Sequence, residues 1–218
     1  MAQNYEFVDV PEIFDIYKEV VAHARELGYL EGVETPPLYW LKNTMKTFGK
    51  CQWVQFKTYK TTYYNNSGYG ATITKIMINV GFRKASAEAI RTILVHEVTH
   101  ACAVAKYGPK WGGGHNNYFY VIGRKLGLKW GIDVKRLADK DTSNEFYQYL
   151  VSQRGMKMYD KIYRVSCGRK YCRTWIDHNK PVDPKYVDTG IPYRNQYFYS
   201  THEAAMAKRK EFADRGWW

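Results

Sequence analysis

The sequence holds no apolar run approaching the ~18 residues that a membrane-spanning helix requires. Its first residues, MAQNYEFVDVPEIF, lack the basic region followed by a hydrophobic stretch that marks a signal peptide. A cytoplasmic chain with no membrane partner is therefore expected. Cysteine is scarce: Cys51, Cys102, Cys167 and Cys172 are too few for a disulfide scaffold in a chain of 218 residues, and a reducing compartment would keep them as thiols. Acidic residues are also in short supply, 21 against 33 Lys and Arg, and the formal charge of +12 favours contact with polyanions. No internal repeat or low-complexity segment stands out.

What is present suits one main globular domain. With 45% hydrophobic residues the chain can bury one sizeable core, with a small appendage. Residues 1–150 carry 19 basic and 14 acidic side chains, and 151–218 carry 14 and 7, so the shorter part is the more basic. There Lys161, Arg164, Arg169, Lys170, Arg173 and Trp175 interleave with Tyr163 and Tyr171. Alternating cations and flat rings suit a nucleic-acid strand, whose phosphates take the charge and whose bases stack, so DNA in single-stranded or distorted form is the expected partner. The plainer reading is a solvated basic surface over a small sheet.

The first element is a helix with Pro11 in its first turn, apolar positions Ile13, Ile16, Tyr17, Val20, Ala24 and Leu27 at helical spacing, and Gly28 at its end. His23 falls off that stripe and reads as a surface residue. Next, PPLYWLKN, CQWVQFKTYKTTYY and ATITKIMINVGF are rich in β-branched and aromatic residues and separated by Gly49 and NNSGYG, which predicts a small antiparallel sheet. A second helix follows. Ser86 caps it, Glu88 sits in its positive first turn, and Ile90, Ile93, Leu94, Val98, Ala101 and Ala105 mark its buried side before Gly108-Pro109.

That second helix carries His96-Glu97-Val98-Thr99-His100. Two imidazoles one turn apart can bind one zinc ion, and Glu97, directed elsewhere, can serve as the base that takes a proton from water. Independent placement of 6 His and 11 Glu yields such a pattern in roughly 1% of chains of this length. His115 follows a turn-rich loop, KYGPKWGGGH, at the start of a third helix with Tyr118, Val121, Ile122 and Leu126 toward the core. The loop can return His115 to the metal as a third ligand. Three histidines leave one position open, as a hydrolytic zinc site does and a structural site does not.

The pattern H-E-x-x-H, a third histidine after a loop, and the NNYF that follows resemble the SprT-like family of zinc metalloproteases, which includes the Spartan-type DNA-dependent proteases. His96, Glu97, His100, His115 and Phe119 match its motif, while Asn116 stands where a glycine is usual and also tolerates a left-handed backbone. The likeness extends in weaker form over residues 10–130. It implies an α+β fold of zincin type: N-terminal helix, small sheet, HExxH helix and third-ligand helix. It also implies one zinc per chain and peptide hydrolysis on DNA-bound or DNA-crosslinked proteins.

Relatives of this kind often carry a C-terminal zinc ribbon with two Cys pairs. Here Cys167-Gly168 matches the second ligand of the first pair, Arg164 occupies the first position, and the second pair is missing. The region therefore reads as a metal-free ribbon, with a degenerate site of Cys167, Cys172, His178 and His202 as the alternative. Cys51 and Cys102 read as core residues. STHEAAMAKRKEFADRGWW predicts a closing helix with a capping box at Ser200 and Glu203.

The expected organisation is a metalloprotease domain over 1–132, a partly helical connection over 133–155 and a basic, aromatic-rich subdomain over 156–218. Two other functions compete: a nucleic-acid-binding module braced by a structural zinc, and a peptidase that matures one particular protein. KIMINVGF is the expected edge strand for an extended substrate. Tyr63, Tyr64, Tyr118 and Tyr120 are the candidate donors to a developing oxyanion.

Overall fold

A computed structural model describes residues 5–44, 47–57, 69–135, 145–168 and 171–216. The chain is mixed α+β and divides into two compact units, Met1–Lys140 and Asp141–Trp218. The boundary assigns Asp141 and Glu145 to the second unit, which then holds 14 basic and 9 acidic residues. The helix at 145–153, expected in a connecting segment, falls inside that unit.

In the first unit, α1 spans Pro11–Glu26 with the proline at its first turn, where a missing N–H costs nothing. Its buried face is Ile13, Ile16, Tyr17, Val20, Val21 and Ala24, while Leu27 is exposed beyond the helix end. His23 is half-buried, bonded to Glu26 at 2.9 Å and edge-on to Trp130. Ahead of the helix, Asp9 accepts a hydrogen bond from Trp40 Nε1 at 2.9 Å and pairs with Arg83, joining three segments distant in sequence.

The sheet is mixed rather than antiparallel. Strands β1 (Leu38–Leu41) and β2 (Gly49–Lys57) flank β3 (Tyr69–Asn79), with β1 parallel and β2 antiparallel to it. The chain runs out along β1, back along β2 at the far edge, and returns along β3 between them, so β3 must align with β1. Ile76, Met77 and Ile78 are all fully buried in succession, the pattern of a central strand covered on both faces. KIMINVGF is therefore not an edge. The outer side of β1 is occupied as well, by Glu6 and Val8, through Trp40 N–H to the Glu6 carbonyl at 2.8 Å and Val8 N–H to the Leu38 carbonyl at 3.2 Å. Among the described strands of this sheet, β2 alone presents a free edge.

Helix α2 spans Ala87–Tyr107, capped by Ser86 Oγ, which accepts from Ala89 N–H at 3.2 Å. It is central rather than amphipathic: Val95, Cys102, Ala103 and Val104 are buried along with Ile90, Ile93, Leu94, Val98 and Ala101, while Ala105 is exposed. The sheet, α1 and two later helices all pack on it. A single turn α3 (Pro109–Gly112) leads to α4 (Asn117–Leu128). The buried stripe of α4 is Phe119, Ile122 and Leu126; Tyr118 is half-buried and Val121 exposed, so it is rotated from the expected face.

The second unit holds α5 (Glu145–Gln153), the strands β4 (Lys157–Gly168), β5 (Tyr171–Val182) and β6 (Tyr197–Tyr199), and α6 (His202–Asp214). Its sheet runs β5-β4-β6, antiparallel throughout. Tyr163, Val165 and Tyr199 pack with Ala205 of α6, and Ile162, Val182 and Phe198 form a second cluster. The cap of α6 is Thr201, which accepts from Ala204 N–H at 3.2 Å, so Ser200 and Glu203 make no capping box and His202 is the first helical residue.

Candidate metal centre

Every donor of the candidate centre comes from α2 or from the loop that follows it. His96 and His100 sit one turn apart on α2, and His115 returns at the end of the loop, so that ligand nitrogens of all three lie within 4.8 Å of one another. His96 Nε2 and His115 Nε2 stand 3.0 Å apart. Nitrogens bonded at about 2.1 Å around a tetrahedral ion are about 3.4 Å apart, so small side-chain shifts turn this cluster into a ligand set. His96 is buried, His100 half-buried and His115 exposed, which opens the cluster to solvent on the His115 side.

The ring chemistry also suits a cation. Burial pushes His96 down to about 3, with His100 and His115 acting in the same direction. Burial likewise pushes His100 down to about 4, against a hydrogen bond to Gly112 that raises it. Both rings are thus neutral at pH 7, with a lone pair to donate. Because a carbonyl can only accept, the 2.8 Å contact between His100 Nδ1 and the Gly112 oxygen places the proton on Nδ1 and leaves Nε2 unprotonated. His96 Nδ1 is buried without a hydrogen bond of full geometry, although the Val134 carbonyl acts on it in the same sense. Phe119, fully buried, supports the cluster from below with its ring centre 4.9, 4.5 and 4.8 Å from those of His96, His100 and His115.

The loop geometry depends on two small features. A Cβ at Gly112 would fall 1.9 Å from a Val104 methyl, so only glycine lets the loop lie against α2 and offer its carbonyl to His100. Asn116 is extended, at φ −89° and ψ 178°, and not left-handed. Its Oδ1 accepts from Phe119 N–H at 3.1 Å while its Nδ2 donates to the Trp111 carbonyl at 2.9 Å, capping α4 and closing the loop.

The Glu97 side chain lies against β2. It is 6% exposed, and a Cβ placed on Gly49 would lie 2.7 Å from its Cγ and Oε1. Burial pushes the carboxyl up to about 8, against the Cys51 backbone N–H that donates to it. Neither Gly49 nor the Cys51 backbone was marked by the sequence, where Gly49 reads only as strand punctuation. Trp53, half-buried on β2, is 3.9 Å from the position of a Cβ on Gly113 and so flanks the loop that carries His115.

Among the proposed oxyanion donors, Tyr63 and Tyr64 lie outside the described residues. The Tyr118 ring packs on Tyr107 and Trp111, with centroids 4.3 and 5.0 Å away, and Tyr120 stands edge-on to Phe119 at 5.5 Å.

In the second unit the expected thiols are replaced by a disulfide between Cys167 and Cys172, which face each other across β4 and β5. Both sulfurs are consumed, and Cys167, Cys172, His178 and His202 form no metal-binding group among the described residues. Cys51 and Cys102 are free and buried. Arg164, standing where the resemblance puts a ligand, donates to Asp177 at 2.8 Å and lies 4.5 Å from the Trp175 ring centre. Its charge is committed within the sheet. Lys161 lies over Tyr163 at 5.1 Å, Arg173 is exposed, and Arg169 and Lys170 lie outside the described residues. A second cation-aromatic group lies in this unit: Tyr186 and Tyr193 have ring centres 5.1 Å apart, with Lys185 over Tyr186 and Arg194 over Tyr193.

No helix among the described residues is long and apolar enough to cross a membrane. Compared with known families, curated proteins and solved structures, the chain matches none.

Proposed function

We propose that the chain is a zinc-dependent endopeptidase of SprT-like type, acting on proteins bound or crosslinked to DNA. One observation carries the reading: Glu97, buried against β2, stands on the same helical turn as two of three convergent histidines. Zinc held by His96, His100 and His115 would supply a Lewis acid that lowers the pKa of water and polarises a scissile carbonyl. Glu97, whose buried carboxyl the charge of a bound zinc would draw back toward its ionised form, takes the proton from the attacking water and returns it to the leaving amine. The free edge of β2 offers backbone pairing to an extended substrate, a mode that reads little side-chain sequence. Exposed His115 argues for an open catalytic site over a structural zinc, whose ligand shell is closed.

The +12 charge supports a DNA partner. In the second unit, exposed Arg173 and Arg194 would supply phosphate contacts and the Tyr186-Tyr193 pair stacking surfaces suited to a single strand.

Digestion of a DNA-bound protein by the zinc-loaded chain, with and without DNA, tests the whole reading. Glu97→Gln should retain zinc and fold while losing about 100-fold or more in rate, as expected when a positioned base is deleted. Equal rates for the variant and the wild type would overturn the peptidase assignment, and a rate indifferent to DNA would overturn the DNA-directed part alone.

A further inference from the structure

Asn79 ends β3, is fully buried, and uses both polar atoms of its side chain. Its Nδ2 donates to the Thr44 carbonyl at 2.7 Å and to the Thr47 carbonyl at 2.8 Å. Its Oδ1 accepts from Gly81 N–H at 2.8 Å, and its backbone N–H donates to the Phe48 carbonyl at 2.8 Å. Three carbonyls just before β2 are thus held by one residue. The next two positions of β2 that matter are Gly49, closed on the Glu97 side chain, and Cys51, whose N–H donates to the Glu97 carboxylate.

We propose that Asn79 is a positioning residue for Glu97: by fixing the Thr44, Thr47 and Phe48 carbonyls it sets the start of β2, and through Gly49 and the Cys51 N–H it sets the carboxylate. This deepens the peptidase reading and rests on it for its catalytic consequence. The physical logic is one of tolerance. A buried carboxylate beside a glycine has no slack: a β2 shift of the size of one methyl group either opens a void next to Glu97 or drives backbone into it. An amide with two donated hydrogens directed at two carbonyls permits little such shift. Proton transfer needs the base within hydrogen-bond reach of the attacking water, and a misplacement of about 1 Å costs on the order of 100-fold.

Asn79→Asp isolates the clamp, because it keeps the acceptor for Gly81 N–H and the side-chain size but loses both donors. Gly49→Ala disturbs the same contact from the strand side. Both are made in the full chain and measured for zinc affinity by competition with a chelating dye, for kcat and KM on casein, and for hydrogen exchange at the Cys51 amide by NMR. The expected result is unchanged zinc affinity and KM, kcat lower by about 10- to 100-fold, and Cys51 exchange faster by about tenfold or more. Cys51 exchange at the wild-type rate in both variants overturns the proposal, and so does faster exchange with full kcat. If Asn79→Asp fails to fold, Gly49→Ala decides by the same readouts. A wild-type chain that binds zinc but cleaves nothing removes the peptidase reading alone; the exchange readout then decides whether Asn79 sets the Cys51-Glu97 bond.

Discussion

His100 donates its Nδ1 hydrogen to the Gly112 carbonyl at 2.8 Å, and this one bond selects which imidazole nitrogen faces His96 and His115. The carbonyl is there because Gly112 has no side chain to collide with Val104. Gly112→Ala should therefore weaken metal binding by about 10- to 100-fold, the usual effect of losing a partner that orients a ligand. Competition for zinc against a chelating dye measures it. Affinity equal to wild type would show that the loop accommodates the methyl group without moving the carbonyl.

The disulfide and the two buried thiols give a direct chemical test. Under native, non-reducing conditions neither Cys51 nor Cys102 should react with iodoacetamide, since both are buried and burial raises the pKa of each thiol, reducing the reactive thiolate. After denaturation without reductant both should alkylate, and peptide mapping should recover Cys167 and Cys172 joined. Four alkylated cysteines in that sample would mean the pair is reduced in the isolated protein.

Acid should act on the second unit through Asp177. Burial pushes this carboxyl up, but hydrogen bonds from Arg164 and Lys180, together with their charges, outweigh burial and hold it below its reference of 3.8. A carboxyl whose folded pKa is depressed stabilises the fold fully above the unfolded value and loses that contribution as pH falls through the folded one. Asp177→Asn should accordingly be less stable than wild type at neutral pH, and the gap should close below pH 3.8. Urea midpoints followed by tryptophan fluorescence across pH 2–7 (about six points) would read it. A gap independent of pH would assign the loss to packing.

Arg164 and Arg173 should respond differently in DNA binding. Arg164 is paired with Asp177 and lies against Trp175, whereas Arg173 is exposed and has no ion pair among the described residues. Arg173→Ala should reduce the slope of log affinity against log salt by about 0.7 on single-stranded DNA, the loss of roughly one phosphate contact. Arg164→Ala should lower stability and leave that slope nearly unchanged. Titration of a fluorescent oligonucleotide at several salt concentrations separates the two outcomes.

The centre's donors were legible because their chemistry is local. His96, Glu97 and His100 are spaced by the helix itself, and a glycine-rich turn before His115 can bring a third ligand back over a short distance. Cys51 and Cys102 were recognisable as core by their apolar surroundings, and both are buried. Helix α1 was equally plain, since Pro11 and Gly28 bracket an apolar stripe of helical period.

Tertiary structure alone decided the rest, because the determining contacts join residues far apart in sequence. Strand order is one case: the apolar run at Ile76–Ile78 signals burial but not position, and only the pairing of β3 with both β1 and β2 makes it central and leaves β2 at the edge. Side-chain pairing in the second unit is another, since Arg164 reads as a free cation until Asp177 of the neighbouring strand is seen to take its charge. Backbone groups are the least legible of all. The Gly112 carbonyl accepts from His100 and the Cys51 N–H acts on the Glu97 carboxyl, yet every residue except proline carries the same amide, and which one arrives beside a given side chain is fixed only when the chain has folded.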